Sequence, residues 1–134
     1  MPQPHILPIR VYLEDTDAGG IVYHASYVRF MERARTEMMR SIGADHSAMI
    51  KNDGVMFVVK TLALDFLKPA LLDDLIEVHS SVGEIANASL EMEQKILKAG
   101  ETLLTAKIRL ASVTISGQPC RIPAAILGKI KAAI

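Results

Sequence analysis

Cysteine is all but missing from this chain of 134 residues. The single Cys120 excludes an intrachain disulfide and gives no sign of an oxidising compartment. It sits in no nucleophile motif and reads as a passive thiol. Tryptophan is absent and aromatics make up only 4% of a chain that is 50% hydrophobic, so the core must be aliphatic and methionine-rich. Neither sign of charge dominates. Fifteen Lys and Arg face fifteen Asp and Glu, which argues against broad electrostatic binding to nucleic acid or an anionic membrane. Long apolar runs are lacking too: the longest is about five residues, far short of the ~20 that span a bilayer. The first ten residues, MPQPHILPIR, carry two early prolines and no basic region ahead of an apolar run, so no secretory signal is expected. His5, His46 and His79 have no neighbours at metal-ligand spacing and read as surface residues. No metal or cofactor is expected. These absences leave one domain over residues 1–134, expected in the cytoplasm and large enough to bury roughly two-thirds of its unfolded surface.

What is present has a clear order. Residues 6–13 read as a strand entered through Pro8. A helix follows from about His24 to Ile42, because Tyr27, Met31, Ala34, Met38 and Ile42 recur at spacings of three or four. Arg33 with Glu37 and Arg29 with Glu32 are placed to pair on its polar face, and Gly43 is a natural stop. At ~1.5 Å per residue the helix approaches 30 Å. Residues 44–53 form a short helix or loop closed by Gly54. Four strands then succeed one another, at Val55–Leu67, Leu75–Val82, Ser89–Leu97 and Leu103–Ile115, the last two joined by an Ala99-Gly100 turn. In the second, Ile76, Val78 and Val82 alternate with Glu77, His79 and Ser81. In the third, Leu90, Met92 and Ile96 oppose Glu91, Glu93 and Lys95. Such alternation belongs to an antiparallel sheet with one wet face. Pro123 opens a short C-terminal helix with Ile126, Leu127, Ile130 and Ile134 on one side. The pattern alone supports an α+β fold in which a long helix is buried against a sheet.

The chemistry concentrates in Glu14-Asp15-Thr16-Asp17-Ala18-Gly19-Gly20-Ile21-Val22-Tyr23-His24. In extended backbone Asp15 and Asp17 share a face. Gly19-Gly20 permits positive φ and a close approach of ligand to backbone. His24 stands where a helix collects unpaired N–H groups and the positive end of its dipole. Such a loop can do carbonyl chemistry: Asp17 can attack an acyl carbon or activate a water, and a helix-start N–H can hold the oxygen that turns negative. Asp15 is expected to be structural, binding backbone N–H groups. Tyr23 and Tyr27 read first as packing at the helix entry.

The stretch YLEDTDAGGIVYHASYVRFMERARTEMM, residues 12–39, resembles the acyl-CoA thioesterases of the 4-hydroxybenzoyl-CoA thioesterase type. Among these it is most similar to the branch associated with the Tol-Pal envelope system, the YbgC-like proteins. FVVK at Phe57–Lys60 and KPALLDDLIEV from Lys68 extend the likeness to roughly residues 9–115. The resemblance implies a hotdog fold, a long central helix wrapped by a curved five-stranded antiparallel sheet. It implies hydrolysis of an acyl-CoA or acyl-carrier-protein thioester, with Asp17 as nucleophile or general base and a backbone N–H near His24 polarising the carbonyl. The His24 imidazole orients substrate or shuttles a proton. Gly19, Gly20 and Tyr23 are expected to contact substrate, with Phe57, Val58 and Val59 reaching it from a second subunit of a homodimer or tetramer. Lys60, Lys68 and Arg121 are basic candidates for the CoA phosphates. Peripheral association with envelope machinery follows from the same branch. Two other readings stay open, a non-enzymatic acyl-thioester or envelope interaction module and a hotdog hydratase or dehydratase. One departure stands out: Leu13 occupies a position where tyrosine is expected in many close relatives.

Overall fold

The helical periodicity after the motif becomes α1, His24–Ser41, in a computed structural model that describes residues 3–134. Met1 and Pro2, part of the N-terminal segment read above, lie outside the described residues. Tyr27, Met31, Ala34 and Met38 are buried as their spacing requires, with Phe30, Arg35 and Met39 buried beside them, while Ile42 is half-buried. The helix ends where Gly43 takes a φ of +79°, a left-handed conformation that glycine adopts without steric cost. The charge pairs expected on its polar face do not form: among the described residues Glu37 meets Arg40, and Arg29 reaches the Ser26 hydroxyl. The Glu37–Arg40 pair is solvent-exposed, and such pairs choose partners with little energetic preference.

Five strands make one antiparallel sheet in the order β1-β3-β4-β5-β2, from β1 His5–Arg10, β2 Val55–Phe66, β3 Leu75–Ile85, β4 Ser89–Lys98 and β5 Glu101–Thr114. β4 and β5 are joined by the anticipated two-residue turn, with Ala99 and Gly100 both at positive φ, the conformation that matches strand twist in a tight hairpin. β1 and β2 are the two edges. β2 carries an irregularity at Lys60, between Val59 and Thr61, of the kind that bends an edge strand.

α1 lies across the sheet against β3 and β1. Phe30 and Met31 of the helix and Ile76, Met92, Ile96 and Ile108 of the sheet are essentially inaccessible to solvent. Each such side chain contributes about 1.5–3 kcal/mol by leaving water. Residues 44–53 resolve into a short helix, α2 His46–Asp53, whose Ala48 N–H is capped by the Asp45 carboxylate at 3.3 Å. The last helix, α3 Ala124–Ala132, buries Ile126 and Ile130, and Pro123 precedes it as N-cap rather than standing as its first residue. Ile134, expected on its apolar side, is exposed because the helix has already ended. A long helix wrapped by a five-stranded antiparallel sheet is the hotdog fold. No helix among the described residues is long and apolar enough to cross a membrane.

The first strand departs from expectation in a way that shapes the site. β1 stops at Arg10, and Leu13–Asp15 form a single 3-10 turn instead of continuing the strand. The cause is the buried Asp15 carboxylate, which folds back to accept the Tyr12 N–H at 2.8 Å. Residues 13, 15 and 17 therefore do not share a face: Leu13 is 74% exposed, Asp15 is 6% exposed and Asp17 is exposed.

Candidate active site

After the 3-10 turn the motif forms a small hairpin. Thr16 bridges Val22, the Asp17 N–H donates to the Ile21 carbonyl at 2.9 Å, and the Gly20 N–H donates to the Asp17 carbonyl at 3.1 Å. Gly20 takes a φ of +81° at this turn. At Gly19 a Cβ would come 3.2 Å from Asp17 Oδ1, so a side chain there would crowd the carboxylate. The hairpin is docked onto the segment leaving β2, through an Ile21–Leu71 bridge and the Val22 N–H on the Ala70 carbonyl at 2.9 Å. Beneath it the buried Tyr27 hydroxyl accepts the Ala70 N–H at 2.9 Å. Burial raises the pKa of that phenol above its ordinary value, with Asp74 adding to the rise against the lowering effect of the Ala70 bond. Tyr27 is thus a neutral strut between helix and loop.

This scaffold presents Asp17 at one end of a cleft of about 320 Å³ lined also by His24, Tyr27, Phe66 and Lys68. One carboxylate oxygen of Asp17 accepts the Gly19 N–H at 2.7 Å; the other accepts none among the described residues. The start of α1 faces the same cleft through His24. Tyr23, the N-cap, supplies no side-chain cap, and among the described residues the N–H groups of His24 and Ala25 find no acceptor. Free amides at a helix start, with the dipole behind them, form a site for an oxygen that gains negative charge. The His24 ring packs on Tyr23, 4.6 Å away between centroids, and stands perpendicular to the Phe66 ring at 6.4 Å.

Several of the sequence-derived residues therefore meet. Asp17 and His24 share the cleft, Gly19 and Gly20 shape the loop that carries Asp17, and Tyr23 packs on His24 without lining the cleft. Lys68 lies in the cleft, paired with Glu101, whereas Lys60 sits at the β2 irregularity and Arg121 on the surface after β5. Leu13 does not line the cleft. Phe57, Val58 and Val59 lie elsewhere within the same chain, around a second cavity near the opposite end of β2. Among the cleft residues that the motif did not announce as chemistry are Phe66 and Tyr27: Phe66 reads as one more apolar residue of a strand, and Tyr27 as one more helix-core position.

His46 also departs from its surface reading. It is half-buried near Phe57, with ring centroids 6.4 Å apart. Burial lowers its pKa, and Arg35 and Arg40 lower it further, outweighing the opposite pull of Glu32 and Asp45. His5 and His79 depart from it too: His5 lies in β1, half-buried, with an Nδ1 that has no partner among the described residues, and His79 is half-buried with Nε2 3.1 Å from Glu77.

Residues 11–130 match the family model of the thioesterase-like superfamily. The chain is 41% identical over 126 residues to acyl-CoA thioesterase YbgC of Haemophilus influenzae, covering 94% of this chain and 90% of that protein. It is equally identical to acyl-CoA thioester hydrolase YbgC of Escherichia coli, over 92% of this chain and 93% of the relative. Among solved structures, a probable thioesterase from Bartonella henselae superposes with a TM-score of 0.87 at 36% identity, covering 90% of this chain and 99% of the other.

Proposed function

The chain belongs to the thioesterase-like superfamily, and from that premise we propose that it hydrolyses acyl-CoA thioesters to free acid and thiol at the cleft shared by Asp17 and His24. The observation that carries the proposal is the meeting, in one cleft, of a carboxylate with a free oxygen and an uncapped helix start. The thioester oxygen takes the α1 amides near His24, which stabilise the charge it gains as the carbonyl is attacked. Acting as general base, Asp17 removes a proton from water as its oxygen bonds to the acyl carbon. The C–S bond then breaks and the departing sulfur takes that proton. Acting as nucleophile, Asp17 bonds to the acyl carbon and the C–S bond breaks to release the CoA thiolate, leaving a mixed anhydride that water opens in a second step to free the acid and restore the carboxylate. His24 orients the thioester, Lys68 in the cleft meets a CoA phosphate, and an acyl-carrier-protein thioester presents the same reacting group.

The working unit is a homodimer joined along β2, with a tetramer of two dimers as its extension. β2 is an open edge that exposes apolar side chains, among them Val59 at 48% and Phe66 at 51%; an edge of this kind pairs with another strand unless it is protected. A two-fold axis through the middle of β2 would set Phe66 of one copy beside the Val55–Phe57 end of the other. That arrangement brings Phe57, Val58 and Val59 to the second copy's cleft as acyl contacts. The enzyme acts in the cytoplasm, with any envelope association peripheral.

A thiol-release assay over acyl-CoAs of graded length and over aromatic acyl-CoAs tests the reaction. Catalysed release from at least one class is expected. No release from any of them by folded protein would reject hydrolysis.

A further inference from the structure

The second cavity, about 260 Å³, opens between α1, α2 and the sheet, at the far end of α1 from His24. Its walls are apolar for the most part, from Met39, Phe57, Leu90, Met92 and Leu110. Into this lining comes one permanent cation, Arg35, which is 7% exposed. Its side-chain partner among the described residues is neutral: Nη1 donates to Gln94 Oε1 at 3.1 Å. The orientation of that amide is set independently, because Gln94 Nε2 donates to the Met31 carbonyl at 3.0 Å and to Ser80 Oγ at 2.9 Å. Among the described residues no carboxylate lies within ion-pair distance of Arg35. Burial lowers the guanidinium pKa, with Glu32 opposing the shift; a guanidinium nevertheless stays charged in proteins.

A buried cation is costly unless an anion meets it, and a guanidinium offers five N–H donors in a fork that fits a carboxylate. The remaining polar lining defines what kind of anion fits. Glu32 carries negative charge into the same lining, which disfavours a multiply charged phosphate. His46 brings an imidazole that can donate one N–H. The apolar walls require a hydrocarbon attached to the anion.

We propose that this cavity is a binding site for an aliphatic carboxylate, whose head pairs with Arg35 and whose chain lies among Met39, Phe57 and Met92. Two sources supply that chemistry. One is a free monocarboxylic acid, the product class of thioester hydrolysis. The other is the terminal carboxylate of an ω-carboxyacyl thioester entering from a second copy's cleft, and this source rests on the hydrolase and dimer readings above.

Calorimetric titration with hexanoate, and separately with hexanol, tests the site on the wild-type protein. Hexanoate is expected to bind at least about tenfold more tightly than hexanol, the worth of one charge-assisted contact. Arg35→Met, checked for fold by circular dichroism, is expected to lose that preference, and Arg35→Lys to keep part of it. Equal binding of hexanoate and hexanol by wild type, or a preference that persists in Arg35→Met, overturns the site. If Arg35→Met does not fold, the wild-type comparison decides alone. Thiol release from adipyl-CoA and hexanoyl-CoA then separates the sources. A preference of tenfold or more for adipyl-CoA, lost in Arg35→Met, assigns the carboxylate to the substrate. Equal turnover with hexanoate binding intact assigns it to a free acid. Hexanoate binding without turnover of either thioester rejects hydrolysis of these substrates and leaves the carboxylate site standing.

Discussion

Asp15 and Asp17 are chemically identical and two residues apart, yet the fold divides them completely. Asp15 is buried with its carboxylate on the Tyr12 N–H, and Asp17 is exposed at the cleft with one oxygen free. Asp15→Asn is therefore expected to lower stability by about 1–3 kcal/mol, the range for disturbing a buried charge-assisted bond. Urea denaturation reads that loss, and thiol release per folded molecule should stay within about twofold of wild type. A variant as stable as wild type would mean that the turn does not depend on this bond. Leu13 belongs to the same turn and does not line the cleft, so Leu13→Tyr is expected to leave thiol release unchanged. A tenfold gain would show that a hydroxyl at position 13 belongs to the chemistry. Of these roles, the structural use of Asp15 was legible in its spacing from nearby backbone. The end of β1 was not, because Val11, Tyr12 and Leu13 are good strand residues and only the return of Asp15 to Tyr12 stops them.

At the scale of elements, α1 was readable because Tyr27, Met31, Ala34 and Met38 keep a strict helical period. Arg35 and Gln94 hid within the same patterns, since a charged or amide residue on a helix or strand reads as solvated. Their burial follows from meeting each other across α1 and β4, a contact separated by 59 positions in the chain. His46 was misread for the same reason: its burial comes from the packing of α2 against β2. Because its folded-state pKa is lowered, the unfolded chain takes up the proton first as pH falls. The stability gained from a neutral His46 is present above the ordinary histidine value of ~6.5 and is lost as pH falls through the folded-state value. Unfolding midpoints measured at pH 7.5 and pH 5 should drop more steeply in wild type than in His46→Gln. Parallel slopes would exclude His46 as a source of the acid sensitivity.

For the whole molecule, β2 joins two halves of one problem. The Asp17 cleft includes Phe66 at one end of the strand, and Phe57 to Val59 line a cavity near the other. A motif in one sequence can announce both sets; their meeting belongs to the proposed dimer, in which a second copy pairs along the edge. Val59→Lys puts a charge into that pairing surface and should weaken self-association by at least about tenfold, as read by sedimentation over a concentration series. A wild-type monomer that is fully active at assay concentration would remove the shared site. The most direct test of the chemistry is thiol release by Asp17→Asn against wild type, at equal concentrations of folded protein with matched sedimentation. Asparagine preserves size and some hydrogen bonding but can serve neither as base nor as anionic nucleophile. Turnover is expected to fall roughly 10²–10⁴-fold, and near-wild-type turnover in that variant would contradict an active site built on Asp17.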